Sequence, residues 1–395
     1  MGNFNAFALY TIRFALFRKE LFIKFNALMF YVLFLEFLLL TLIRKRHDTE
    51  FRCIRITVPL KRWSTVTVFL IIALGLAGCK KTIKSEISFY YWKTTFDISE
   101  KEKDVLRDNS ISKIYVRYFD LILKDKVPVP LSPVHFKEIP EIKIVPVLFI
   151  KNDVFLEPST NLSVLSDKTW TLMEEISSDN KLTYSEFQLD CDWTMRSRDN
   201  YFQFIELLKA KSSKNISATI RLHQIKYFRG TGVPPVDSGV LMYYNMGRLA
   251  PDTLNSIYER GIALDYIKSL KNYPLRLNIA LPIYSWAVHI RNNRVINLIN
   301  KVDKDNFISD SNFFLNRDNQ FYVKVNNLKS GSFFEKGDII KIESVSADAL
   351  EEMCHDLRKN ISSTPNEIIF YDLDAFNLEK YNHGKNFFQK VCDLF

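Results

Sequence analysis

The sequence has few of the residues that build disulfide, metal and phosphate sites. Its 395 residues include only five cysteines, six histidines and 11 glycines. Five cysteines are too few for a disulfide-stapled module. There is no H-E-x-x-H, C-x-x-C or G-x-S-x-G spacing, and the loop at 229–235 lacks the Lys-Ser/Thr ending of a phosphate loop. We therefore expect no metal site, no cofactor and no serine nucleophile.

The positive charge is unevenly distributed along the chain. A net charge of +9 is compatible with nucleic-acid binding. Residues 1–78, however, hold 11 of the 54 lysines and arginines and four of the 45 acidic residues, which leaves a net charge of +2 for the remainder. Lysines and arginines beside an apolar run orient that run in a membrane. We therefore predict a membrane-directed N-terminal segment and no nucleic-acid partner.

That segment contains two apolar runs, at 27–43 and 66–76. The first is barely long enough to span a bilayer. The second follows basic residues and ends in L-A-G-C at Cys79, an arrangement typical of a secretory signal. The tetrad also resembles the bacterial lipoprotein signal, in which Cys79 would carry the lipid. The alternative is a transmembrane helix that merely ends in Gly-Cys.

These patterns predict three segments. Residues 1–78 form the hydrophobic signal segment, 79–86 a tether, and 87–395 the folded part. Residues 1–60 are either translated upstream sequence from a wrongly assigned start or a genuine N-terminal anchor; we favour the first. We expect a lipid-anchored protein of the bacterial cell envelope, facing the periplasm or the cell surface.

From residue 87 onward, apolar strand-like runs alternate with helical patterns, which is typical of an α/β protein with a parallel sheet. The runs lie at 87–96, 113–122, 143–150, 186–193, 216–225, 239–246, 276–286 and 367–373. Helices are predicted at 103–109, 161–177, 200–211, 252–270, 347–358 and 378–394. Eight such units predict a (β/α)8 TIM barrel. A long interval at about 289–346, with strand-like runs at 320–325 and 338–342, predicts a small β-rich insertion after the seventh strand.

In such a barrel, functional side chains lie at the carboxyl ends of the strands. Aromatic rings stack on the apolar faces of sugars, while carboxylates and amides hydrogen-bond their hydroxyls, so the mixture found there predicts a carbohydrate cleft. The predicted substrate-binding residues are Trp92, Asp120, Trp193, His223, Tyr244, Asn245, Tyr284, Trp286, Tyr371 and Asp374. For His223, a role as a satisfied core residue remains open.

The predicted catalytic residues are Asp190 and Asp192. Strand alternation places both on one side of the fourth strand, pointing towards the barrel interior. Two neighbouring carboxylates raise each other's pKa and can perform general acid/base chemistry. The alternative is a hydrogen-bonded structural pair.

The fourth strand resembles the D-x-x-D-x-D-x-E motif of chitinase-like glycoside hydrolases of family 18. The matching positions are Phe187, Asp190, Asp192 and Thr194. The sixth strand is similar to the family's M-x-Y-D/N at 242–245, the seventh to its G-x-P-x-Y at 280–284, and Tyr371 stands where the family usually has Trp. The resemblance implies a TIM barrel that acts on a glycan, with Asp192 orienting an acetamido group and Tyr244 and Asn245 polarising the sugar.

One departure changes the expected chemistry. The family's proton donor is the Glu that ends the motif, and Thr194 occupies that position here. A threonine hydroxyl does not protonate a glycosidic oxygen at neutral pH, so the family's retaining mechanism is not supported. We therefore predict an envelope protein that binds or hydrolyses a glycan. The alternative is a non-catalytic glycan-binding or scaffold lipoprotein that has lost the acid.

Overall fold

The computed structural model describes residues 84–317, 319–381 and 386–395. The predicted signal segment and Cys79 lie outside the described residues, so the lipid anchor stays a prediction. Within the described residues, no helix has the length and apolar character needed to cross a membrane.

Eight parallel strands close into a barrel, which confirms the predicted fold class. We refer to them as the first to the eighth strand; they are Glu86–Tyr91, Lys113–Lys124, Lys143–Ile150, Glu186–Cys191, Asn215–Arg221, Ser238–Met242, Leu277–Pro282 and Glu367–Tyr371. Each strand pairs with its neighbour in sequence order, and the first pairs with both the second and the eighth, which closes the ring. Their apolar runs are buried on both faces, as strands enclosed by helices require.

Helices follow most of the strands. Those outside the insertion are Glu100–Asp108, Asp153–Leu156, Leu162–Asp179, Arg198–Lys211, Leu222–Lys226, Phe228–Thr231, Arg260–Ile267, Ala347–Asn360, Ala375–Glu379 and Phe387–Cys392, with a 3-10 turn at Leu270–Asn272. The Glu100–Asp108 helix begins with a capping box, in which the Ser99 hydroxyl accepts from the Glu102 amide and the Glu102 carboxylate accepts from the Ser99 amide. The predicted 378–394 helix is described as two short helices, before and after residues 382–385.

Two predicted elements have different bounds. The fifth strand ends at Arg221 instead of residue 225, because the side chain of Gln224 accepts from the Arg221 amide and starts a short helix there. The predicted 252–270 helix is reduced to Arg260–Ile267. Its first part is held as a loop, since the Lys341 ammonium binds the backbone oxygens of Ala250 and Leu254.

After the second strand, a hairpin replaces the usual helix. Val127–Leu131 pairs antiparallel with the end of the second strand, outside the barrel. Its prolines at 128 and 130 cannot donate to a further strand, which suits an edge position.

The predicted insertion is present and starts directly after the seventh strand. Its five-stranded antiparallel sheet has the order Arg294–Asn300, Ser285–Arg291, Ile339–Ser344, Gln320–Val323 and Phe313–Arg317. A hairpin of Asn327–Lys329 and Ser332–Phe334 and a short helix, Asp305–Ile308, complete it. The insertion has its own apolar cluster, with Phe307, Phe321 and Phe334 fully buried. The sequence predicts Trp286 at the end of the seventh strand, but the residue belongs to the insertion sheet.

Candidate functional site

A cavity of about 720 Å³ opens where the carboxyl ends of the barrel strands meet the insertion. Its size is within the range of small-molecule sites. Eight of the twelve predicted site residues line it, namely Trp92, Asp120, Asp190, Tyr244, Asn245, Tyr284, Trp286 and Tyr371. The other four, Asp192, Trp193, His223 and Asp374, do not.

Five aromatic rings form a continuous strip along the cavity, which we call the aromatic strip: Trp92, Tyr371, Tyr244, Tyr284 and Trp286. Tyr371 lies at its centre, with ring centroids 5.5 Å from Trp92 and 5.6 Å from both Tyr244 and Tyr284. Trp286 continues the strip at 5.2 Å from Tyr284. The rings lie at or just after the carboxyl ends of the first, sixth, seventh and eighth strands and in the insertion, so only barrel closure brings them together.

Hydrogen bonds hold parts of this strip in place. The Tyr284 hydroxyl donates to the side-chain oxygen of Asn245, and the Trp286 indole donates to Glu343 at 2.8 Å. The Tyr244 hydroxyl is buried and has no hydrogen-bond partner among the described residues. Burial raises the pKa of Tyr244 well above its usual value, so this hydroxyl remains a donor.

Asp190 also lines the cavity. It is 6% exposed and accepts a 2.6 Å hydrogen bond from the Thr219 hydroxyl. Burial raises the pKa of Asp190 to about 6; Arg221 opposes this change, and the neighbouring Asp192 adds to it. The predicted mutual influence of the two carboxyls is thus present but smaller than the effect of burial.

Asp192 has a different environment from Asp190. The fourth strand ends at Cys191, and the Asp192 side chain is 47% exposed. Both of its oxygens bind the Arg221 guanidinium, one of them at 2.7 Å. The expectation that Asp192 points into the barrel interior is therefore wrong, because this two-bond ion pair holds it at the rim.

A second acid, Asp372, follows the eighth strand, is partly exposed and lines the same cavity. The Asn377 amide donates to its Oδ1 at 2.5 Å. Burial raises the pKa of Asp372 to about 6; Asp374 adds to this change, whereas Lys301 and Lys93 oppose it.

Two further predicted carboxylates are held in ion pairs. Asp120 lines the cavity and binds the Arg117 guanidinium through both oxygens, at 2.8 and 2.7 Å. Asp374 caps the helix Ala375–Glu379 and binds Lys301 at 2.7 Å. Burial raises the pKa of Asp374, but the hydrogen bond and charge of Lys301 outweigh this effect and bring the pKa below its usual value.

Trp193 and His223 lie away from the cavity. Trp193 is fully buried; its indole donates to the backbone oxygen of Thr231 at 2.9 Å and its ring stacks on Tyr201. His223 is exposed on the helix that replaces the end of the predicted fifth strand. The predictions that Trp193 and His223 line the cavity are wrong for the same reason. The fourth and fifth strands end earlier than their apolar patterns indicate, at Cys191 and Arg221.

Comparison with known proteins finds structural likeness only. No protein-family model matches the chain, and no curated protein matches it. A chitinase from Bacteroides thetaiotaomicron is similar at 12% identity and a TM-score of 0.47, over 79% of this chain and 95% of that chain. A class V chitinase mutant from Cycas revoluta, in complex with (GlcNAc)3, is similar at 10% identity and a TM-score of 0.45, over 78% and 99%.

A chitinase from Chromobacterium violaceum is also similar, at 12% identity and a TM-score of 0.43, over 74% of this chain and 97% of that chain. The closed barrel follows from the order and pairing of the strands of this chain.

The lining residues that the sequence did not predict as site residues include Asp372, Arg221, Lys301 and Asn377. Arg221 ends the fifth strand, and a strand predicted to stop there would have included it. Lys301 comes from the insertion and Asn377 from a helix after the eighth strand, where no strand-end rule applies. In the described part of the chain, no group of three or more His, Cys, Asp or Glu side chains is arranged to hold a metal ion.

Proposed function

We propose that this cavity binds a glycan chain and that the protein acts on it. The observation that carries the proposal is the aromatic strip, which runs beside carboxyl and amide groups in one cavity. Rings of this kind stack on the apolar faces of sugars, and the polar groups hydrogen-bond sugar hydroxyls. The unpartnered Tyr244 hydroxyl supports the proposal, because a ligand oxygen would satisfy it.

A non-catalytic, glycan-binding role is the second candidate. Two observations favour it: Thr194 occupies the position of the family's proton donor, and Asp192 is held in an ion pair with Arg221. A barrel that had lost its acid would retain the aromatic strip and the affinity for glycans, yet would cleave nothing.

The binding test uses fluorescently labelled β-1,4-linked hexaoses of N-acetylglucosamine, mannose and glucose. We expect the protein to bind at least one of them and Trp92→Ala to lose about 10-fold in affinity, because loss of a stacked ring removes contact energy on the order of 1.4 kcal/mol. Tyr227→Ala is the matched control, because Tyr227 is 56% exposed and does not line the cavity. Equal affinities for Trp92→Ala and the native protein would count against the aromatic strip as the binding surface.

We further propose that Cys79 carries a lipid and that the protein is anchored in the bacterial cell envelope. The L-A-G-C sequence after a basic and an apolar region supports this proposal. Cells grown with a radioactive fatty acid should label the protein, and Cys79→Ser should abolish the label. Cys392→Ser, at a cysteine of the folded part, is the control and should retain it; label that persists in Cys79→Ser would favour a transmembrane anchor.

A further inference from the structure

The fourth strand offers no group suited to protonating a leaving group. Thr194 has no acidic proton in the neutral range, and its hydroxyl contacts that of Ser197. Both oxygens of Asp192 are bound to the Arg221 guanidinium, so neither is free to donate to a ligand. Asp190 is almost entirely buried and already accepts from Thr219. If a glycosidic bond is hydrolysed in this cavity, its proton comes from another strand.

The eighth strand places a better suited carboxyl in the cavity. Asp372 is partly exposed there, next to the central ring of the aromatic strip, Tyr371. The Asn377 amide binds Oδ1 at 2.5 Å and orients the carboxyl group. The carboxyl lines the cavity, so a proton carried on it is accessible to a ligand bound there.

The charged groups around Asp372 keep it protonated at mildly acidic pH. Asp374, on the same loop, binds Lys301 of the insertion at 2.7 Å, which keeps it ionised, and lies 3.4 Å from Lys93, which follows the first strand. Burial and the charge of Asp374 raise the pKa of Asp372 to about 6, while the two lysines limit the rise. A general acid is most effective when its pKa lies close to the working pH.

We infer that Asp372 is the general acid of this cavity and protonates the glycosidic oxygen of the bound glycan, an inference that depends on the proposed function. The proton moves from Asp372 to the glycosidic oxygen while the bond from that oxygen to C1 breaks, and the bonding electron pair stays with the oxygen. A water oxygen forms the new bond to C1, and the proton that it loses is accepted by the Asp190 carboxylate. Both carboxyls line the same cavity as Tyr371, and exchange with solvent restores their protonation.

The decisive experiment compares two leaving groups in the full-length protein. The probes are the labelled β-1,4 hexaoses of N-acetylglucosamine, mannose and glucose, and the 2,4-dinitrophenyl glycosides of the same sugars. Dinitrophenolate leaves without protonation. We therefore expect Asp372→Asn to bind the hexaose as the native protein does, to cleave it about 100-fold or more slowly, and to cleave the dinitrophenyl glycoside within about 10-fold of the native rate.

Two further variants support the interpretation. Asp348→Asn, an exposed site at the start of the Ala347–Asn360 helix, should behave as the native protein on both probes. Asp374→Asn removes the charge that raises the pKa of Asp372, so the fall in hexaose cleavage at high pH should move to lower pH. A merely structural role for Asp372 would not shift that profile, and this variant decides the question should Asp372→Asn not fold.

Each remaining outcome overturns one statement. Binding of a hexaose by the native protein without cleavage of any probe overturns the role of Asp372 and leaves the glycan-binding function intact. If Asp372→Asn lowers the cleavage rates of the hexaose and of the dinitrophenyl glycoside equally, that role is also overturned. No binding of any hexaose overturns the proposed function itself, and the role of Asp372 with it.

Discussion

At the residue scale, burial determines the protonation of Asp190. Its carboxyl is 6% exposed, and burial raises its pKa from 3.8 to about 6 despite the nearby Arg221. The folded protein therefore binds the Asp190 proton more tightly than the unfolded chain does. Linkage requires the stability contributed by this group to be complete below about pH 4, to fall as the pH rises to about 6, and to stay constant above it.

Asp190→Asn removes this dependence while retaining an oxygen that accepts from Thr219. Between pH 4 and pH 7, the free energy of unfolding of the native protein should fall relative to that of the variant by on the order of 3 kcal/mol. A pKa difference of one unit between the folded and unfolded states corresponds to about 1.4 kcal/mol. Urea unfolding at the two pH values measures the difference. If the free energies of unfolding of the variant and the native protein differ by the same amount at both pH values, the raised pKa of Asp190 is contradicted.

Burial also separates two tryptophans that the sequence treats alike. Trp193 is fully buried between Tyr201 and the Thr231 carbonyl, whereas Trp92 is partly exposed in the cavity. We expect Trp193→Ala to lower the free energy of unfolding by about 3 to 5 kcal/mol, by creating a cavity, without changing hexaose affinity in the folded fraction. Trp92→Ala should instead lower the hexaose affinity and change the free energy of unfolding less. Chemical denaturation and a binding titration on both variants make the comparison.

At the element scale, a buried lysine attaches the insertion to the barrel. Lys341 is completely buried in the Ile339–Ser344 strand and binds Glu343 at 2.8 Å. It also donates to the backbone oxygens of Ala250 and Leu254, in the loop after the sixth strand. Because Glu343 also accepts from the Trp286 indole, the same network positions one end of the aromatic strip.

Lys341→Met should break this attachment. Removing one partner leaves Glu343 buried without its counter-charge, so we expect a loss of about 3 to 5 kcal/mol in free energy of unfolding. Lys336→Met, at an exposed position of the insertion, should change it by less than about 0.5 kcal/mol. Urea denaturation of both variants tests the pair; equal stabilities would mean that Lys341 does not hold the loop.

At the scale of the whole molecule, closure of the barrel depends on a polar group at the amino ends of its strands. Glu367 begins the eighth strand and is 3% exposed. It accepts from Ser88 of the first strand, and from Lys113 and Tyr115 of the second, the latter two at 2.8 Å. One side chain thereby connects the three strands at the junction where the ring closes.

Glu367→Leu should destabilise the whole protein. The variant leaves the Ser88 and Tyr115 hydroxyls buried without an acceptor and Lys113 without its nearest counter-charge, so we expect a loss of about 3 to 5 kcal/mol. Tyr115→Phe removes only one donor and should cost about 1 kcal/mol. Thermal unfolding followed by circular dichroism compares them, and similar losses for both variants would show that Glu367 is not central to closure.

The sequence alone determined the barrel and most of the aromatic strip. Eight apolar runs predict eight strands because strands buried on both faces have to be apolar throughout, and that constraint is local. Side chains at the ends of those runs, such as Tyr244 and Tyr371, then fall in the cavity by the geometry of a barrel.

Only the tertiary structure decided which carboxyls share the cavity. Asp192 and Asp372 stand at equivalent distances from their strands in the sequence, yet Arg221 holds the first at the rim and Asn377 orients the second beside Tyr371. Protonation and orientation depend on partners that are distant along the chain, as with Lys301 from the insertion. No local pattern encodes these contacts, because they exist only once the ring has closed and the insertion has packed against it.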